Sequence, residues 1–272
     1  GDLSLKAPHL FDGLDIVQLA YAKSPQPVVW AISTSGKLLG LTYVPEQQVG
    51  AWHQHDTDGE FESCCVVAEG SEDVLYVVVR RTINGSSVRY IERMHSRLFT
   101  DPEDAYFVDA GGTYSGAATT SITGLAWLEG KTVNILADGA VHPQRVVTSG
   151  AVTLDQPASK VQIGLPITAD IQSLPMTFEG LGFGQGRPKN LNRVWLRVYR
   201  SSAIYSGPTF SKLKQAKQRT TEPYGSAPNL VTDELQIDLD PSWQYSGQVC
   251  VRQIDPLPIT IVNMTLEAAV GG

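Results

Sequence analysis

The sequence predicts a mainly β protein of antiparallel strands, and three observations carry that reading. Twenty-five glycines and sixteen prolines sit in a chain that is only 18% charged, a composition suited to many short elements joined by tight turns. Runs rich in Val, Ile, Leu, Tyr and Trp recur along the chain, most of them closed by turn residues. Hardly any stretch shows the apolar period of about 3.6 residues that marks an amphipathic helix.

Residues 1–98 read as twisted, propeller-blade-like antiparallel strands. Asp15 to Ala22 is a strand, although Leu10 to Leu19 also has room for a helical turn. Val28 to Ser33, a Ser35-Gly36 turn, Leu38 to Val44 and Gln48 to His53 follow, and Asp56-Thr57-Asp58-Gly59 ends the set. A second set runs through Phe61 to Ala68, Val74 to Thr82 and Val88 to Arg93. Asn84-Gly85 lies between its last two runs and is the strongest short hairpin signal in the chain. Val28-Val29-Trp30 returns as Val74-Leu75-Tyr76 after 46 residues, close to the blade period of about 40–45 residues in propellers. Propeller blades and two plain neighbouring meanders both satisfy that spacing, and two blades alone do not close a propeller.

Residues 99–166 read as a linker and a small β domain resembling a barrel. Thr100 to Asp104 caps a short helix with Pro102 near its start. Gly111 to Thr123, dominated by Gly, Ser, Ala and Thr, reads as an extended loop. Short strands follow at Leu125 to Leu128, Thr132 to Ala137, Val146 to Thr148, Ala151 to Leu154 and Val161 to Leu165, with an Asp138-Gly139 hairpin turn among them. Residues 167–272 read as a β-sandwich-like domain with a protruding basic loop from Ser211 to Tyr224. In its strand Asn192 to Arg200, Val194, Leu196 and Val198 form the inward set, with Trp195 and Tyr199 on the other face. Leu235 to Leu239, Gln248 to Gln253 and Ile259 to Ala268 complete the domain.

A net charge of −7 argues against a nucleic-acid-binding surface, which needs clustered Lys and Arg. It is compatible with a conduit whose wall lets DNA slide. Three cysteines, Cys64, Cys65 and Cys250, are too few and too poorly spaced for a disulfide framework or a zinc site, and they point to reduced thiols and cytosolic folding. The start at Gly1-Asp2-Leu3 has no signal sequence and reads as a piece of a longer polypeptide. The apolar run Val74 to Val79 is far too short to span a bilayer.

Few residues invite a chemical role. His53 and His55 share one strand face beside Asp56 and Asp58, which are metal-ligand types, but a polar strand end and turn explain them better than a metal does. The series Gly180, Gly182, Gly184 and Gly186 lacks the helix and the Lys-Ser or Lys-Thr of a phosphate cradle. Asp101, Glu103 and Asp104 are placed to cap a helix start rather than to act as a glycosidase pair. No nucleophile elbow occurs. The expectation is no enzyme, no cofactor, no metal, and no catalytic or binding residue to assign. Trp52, Trp127 and Trp195 offer an alternative, a carbohydrate- or receptor-binding module, though tryptophans more often fill cores.

Several segments resemble one family in a single order along the chain. They are Val29-Trp30-Ala31-Ile32 with Gly36 to Tyr43, Gln47 to His55, Asp73 to Gly85, Arg89 to Met94, Ile122 to Val133 with Ala137-Asp138-Gly139, Val161 to Pro166, and Asp255 to Ile261. Together they are similar to the C-terminal portion of the tail nozzle family, the tail tubular protein B of short-tailed bacteriophages and prophages. The resemblance implies a structural virion component made in the host cytoplasm and built into the virion tail. It implies a homo-oligomeric ring, typically a hexamer, in the full-length protein, which meets adaptor and fibre proteins. Double-stranded DNA would leave through its lumen without specific binding, and the family has no catalytic residues to carry over.

Overall fold

A computed structural model describes residues 2–177, 186–218, 221–223 and 225–271. The chain separates into two compact units, residues 1–97 with 126–130, and residues 98–125 with 131–272.

The first unit holds two antiparallel meanders. β1 (Ile16–Ala22), β2 (Val28–Ser33), β3 (Leu38–Val44) and β4 (Val49–His55) pair in chain order. β5 (Glu60–Glu69), β6 (Glu72–Ile83) and β7 (Ser86–Arg93) do the same. Asn84 and Gly85 both have positive φ, at 47° and 77°, the turn whose twist matches the flanking strands. In place of a helical turn within Leu10 to Leu19, a 3-10 turn covers Pro8–Leu10.

Strand alternation decides which side of each meander is buried. Ala22, Val28, Trp30, Ile32 and Leu38 from the first sheet pack against Phe61, Cys64, Leu75, Val77 and Val79 from the second. The 46-residue repeat therefore has a direction. Trp30 and Ile32 face this junction, whereas their counterparts Tyr76 and Val78 lie on the far face of the second sheet.

The second unit contains β8 (Asp109–Thr123), β9 (Thr132–Ala137), β10 (Ala140–Val146) and β11 (Ala151–Leu165) in one sheet of order β10-β9-β11-β8. The sheet is open, with β10 and β8 at its edges, so the expected barrel does not form. The expected loop at Gly111 to Thr123 is instead most of β8. Its glycines and alanines hid the strand because they carry little β propensity, yet glycine is what the geometry demands there. A Cβ on Gly111 would lie 2.6 Å from the Ile163 carbonyl oxygen, and one on Gly164 would lie 2.5 Å from that of Asp109. Leu125 to Leu128 is not a strand but leads into a 3-10 turn, Ala126–Leu128. Of the short strand expected at Val146 to Thr148, only Val146 is in a strand, as the last residue of β10, and Thr148 makes an isolated bridge to Ala151. The two strands expected at 151–154 and 161–165 are one strand, β11, with register shifts on either side of Ala158 that absorb Pro157. Pro102–Asp104 is a 3-10 turn, and Asp101 makes no side-chain cap bond to it.

The remaining strands are β12 (Ala169–Gln172), β13 (Lys189–Val198), β14 (Tyr205–Thr209), β15 (Lys212–Gln215), β16 (Glu234–Asp238), β17 (Trp243–Gln244), β18 (Cys250–Gln253) and β19 (Ile261–Val270). They form one sheet of order β12-β18-β14-β15 and another in which β13 pairs with β16, β17 and β19. Val194, Leu196 and Val198 are buried as the alternation required, and they share a core with Ile237 of β16, Val251 of β18, and Ile204 and Val249 just before β14 and β18. Lys212 and Lys214, expected in a protruding loop, sit in β15 against β14. Arg219 and Tyr224, at the end of that loop, lie outside the described residues. A smaller cluster of Ala105, Leu136, Ala203 and Leu257, with Phe99 and Phe107, ties the long sheet to this pair within the second unit.

Candidate functional site

His53 and His55 come together as the strand period requires. His53 Nδ1 and His55 Nε2 share a hydrogen bond of 2.8 Å, and both rings pack against Trp30, His53 edge-on at a centroid distance of 5.8 Å and His55 tilted at 5.3 Å. Gly40, opposite His53 in the β3–β4 ladder, makes the room: a Cβ there would sit 2.1 Å from His53 Cε1. Burial holds the His55 imidazole down to about 4, helped by His53 and Arg97 and opposed by Asp56. Burial first, then Arg97, also lowers His53. The pair is therefore neutral near pH 7 and each ring already has a partner in the other. Among the described residues, no group of three or more His, Cys, Asp or Glu side chains is arranged to hold a metal ion.

The other chemically suggestive groups are engaged in structural contacts. Arg81, almost fully buried, makes a bidentate pair with Glu92 at 2.6 and 2.7 Å and donates to the Asp58 carbonyl at 2.9 Å. Asp104 is paired with Lys160 rather than with a second carboxylate. Lys189, 2% exposed, donates from Nζ to the Tyr245 carbonyl at 2.8 Å and to that of Arg187 at 3.4 Å. A cleft beside Trp30, lined among others by Ser24, Gln26, Glu72 and Met94, encloses ≈ 30 Å³. It has room for a water or two and not for a substrate. Gly180, Gly182 and Gly184 lie outside the described residues. Cys64 and Cys250 are buried, Cys65 is exposed, and all three are free thiols.

The tryptophans singled out in the sequence are all partly covered. Trp52 meets the Phe11 ring edge-on at 4.8 Å and donates its indole N–H to the Leu3 carbonyl at 3.0 Å. Trp195 lies mid-sheet between Gln236 and Thr265, and Trp127 is half-buried in a 3-10 turn. Trp243 is the most exposed tryptophan among the described residues, and Tyr245 two positions on is the most exposed tyrosine. Sequence reasoning missed them because β17 is only two residues long and shows no alternation; the Trp-x-Tyr spacing was the available signal. Arg97 beside the histidine pair had no local signal at all.

No helix among the described residues is long and apolar enough to cross a membrane. No protein-family model matches the chain, and no curated protein matches it.

Proposed function

We propose that this chain is a structural subunit of the tail nozzle of a short-tailed bacteriophage, acting by shape and rigidity in a ring through which the genome leaves. The two meanders of the first unit are then propeller-type blades, and the two sheets that share a core in the second unit are a β-sandwich. One observation carries the reading. The segments that resemble the nozzle family keep a single order, and they fall on the framework of both units: β2 to β4, β6 and β7, the end of β8 with β9, the end of β11, and the approach to β19. Supporting it, the ionisable clusters described above bond to one another or to backbone rather than converging on an open cavity. An acidic chain also suits a wall past which DNA must slide. Adaptor and fibre proteins are the expected neighbours, and heterologous contacts of the kind that close rings are the expected assembly mode.

Deleting the gene from the phage or prophage tests this. The expected products are DNA-filled heads that lack the distal tail and do not infect. Intact, infectious tails would overturn the proposal. A second reading, a glycan- or receptor-binding module, is favoured by the exposed neighbours Trp243 and Tyr245, since such rings stack on sugars.

A further inference from the structure

The internal repeat of the first unit leaves two faces uncovered, and they are the two kinds of face that meet inside it. Leu19 lies opposite Ala31 and Tyr21 opposite Val29. The same places in the second sheet are held by Cys64 opposite Val77 and Val66 opposite Leu75, which are packed into the junction. In the first sheet this face points the other way, and Val17, Leu19 and Tyr21 are 58%, 62% and 55% exposed. The converse holds in the second sheet. Cys65 opposite Tyr76, Val67 opposite Val74 and Ile91 opposite Val78 hold the places of Ala20, Ala22 and Leu38, which also pack into the junction. Yet Val67 is 46% and Ile91 79% exposed.

We infer that these faces meet between copies of the chain: the Val17, Leu19 and Tyr21 face of one copy covers the Cys65, Val67 and Ile91 face of the next. The contact repeats, between molecules, the packing already made within one. Charge agrees with this occupant. β1 carries no charged residue, and the charges bordering Ile91 are neutralised within their own sheet. Arg80 pairs with Glu60 and, at 3.1 Å, with Glu62; Arg89 pairs with Glu62 at 2.6 Å and Arg93 with Glu69 at 2.7 Å, so three cations face three carboxylates. A neighbour seated there meets an apolar stripe between satisfied ion pairs, so no unpaired charge is buried. Because the two surfaces differ, the contact is heterologous and leaves one free face at each end of a pair, which is how rings grow and close. This rests on the ring-subunit reading and names the surface through which the ring forms.

Sedimentation velocity of the chain tests it, with Leu19→Lys and Ile91→Lys as the two face variants and circular dichroism as the check on folding. The parent is expected to form species heavier than a monomer that persist in high salt. Each variant alone is expected to be monomeric, and an equimolar mixture of the two to form one-to-one dimers, because one intact face of each kind remains. Leu19→Thr and Ile91→Thr provide the same comparison should a lysine disturb the fold. A parent that stays monomeric at high concentration overturns the inference. So does assembly by either single variant, which would mean a self-complementary contact or a different surface. Rings that persist in both variants would reject this surface and leave the nozzle reading standing.

Discussion

Acidification is expected to weaken the first unit through its histidine pair, and His55 sets the size of the effect. Its imidazole falls from the ordinary 6.5 to about 4 in the folded chain, so the unfolded chain binds the extra proton between those two values. The neutral ring's contribution is complete above pH 6.5 and is lost as pH falls towards 4. At 1.36 kcal/mol per unit the full loss is about 3 kcal/mol, of which about 2 kcal/mol is gone by pH 5. His53, lowered in the same direction, adds to it. Carboxylates of the first unit contribute little above pH 5, since those that shift, such as Asp56 and Asp73, move further down, and Asp255 of the second unit, raised by burial, is common to parent and variant. Urea unfolding at pH 7.0 and 5.0 measures the difference, with His55→Gln as the control that keeps a polar partner for His53. The parent should lose about 2 kcal/mol more than the variant over that interval. Equal losses in the two proteins would refute the assignment of the pH dependence to this pair.

Other perturbations have equally definite outcomes. Gly40→Ala drives a methyl into the His53 ring and should cost about 1–3 kcal/mol by urea unfolding; adding His53→Ala should recover part of the loss. Arg81→Met leaves Glu92 without its buried partner and should cost about 3 kcal/mol, whereas Arg81→Met with Glu92→Met should be milder in the same assay. Leu196→Ala opens a cavity in the core shared by the two C-terminal sheets and should cost about 2–5 kcal/mol of unfolding free energy. If Trp243 and Tyr245 bind sugar, a glycan array will show specific signals that Trp243→Ala removes; a blank array would dismiss the glycan-binding reading.

Much of the strand pattern was legible because alternation and turn dipeptides are local. Val28–Ser33, Leu38–Val44 and Thr132–Ala137 could be read to the residue, since each is apolar, β-branched or aromatic and is bounded by a turn or a polar break. Asn84-Gly85 and Asp138-Gly139 fixed two hairpins through backbone φ alone. β8 was illegible for the opposite reason. Its fitness as a strand lies in the long-range approach of Gly111 to β11, and local composition contains no record of that approach. β10 was hidden by Pro143, which sits where the β9–β10 register shifts. The His53–His55 face was readable from strand period, whereas the partners that set its chemistry, Trp30, Gly40 and Arg97, lie on other segments. The exposed faces of β1 and β7 needed the sheet register before they could be matched as counterparts.

Cryo-electron microscopy of intact phage particles tests the central claim most directly, that this chain is a brick in the wall of a DNA conduit. The expected map places its two strand-built units in repeated copies around an axial channel at the tail tip, with DNA or an open lumen at the centre. A virion whose tail accounts fully for its density without this chain would contradict the claim. So would a map of the chain holding a small molecule among converging ionisable side chains.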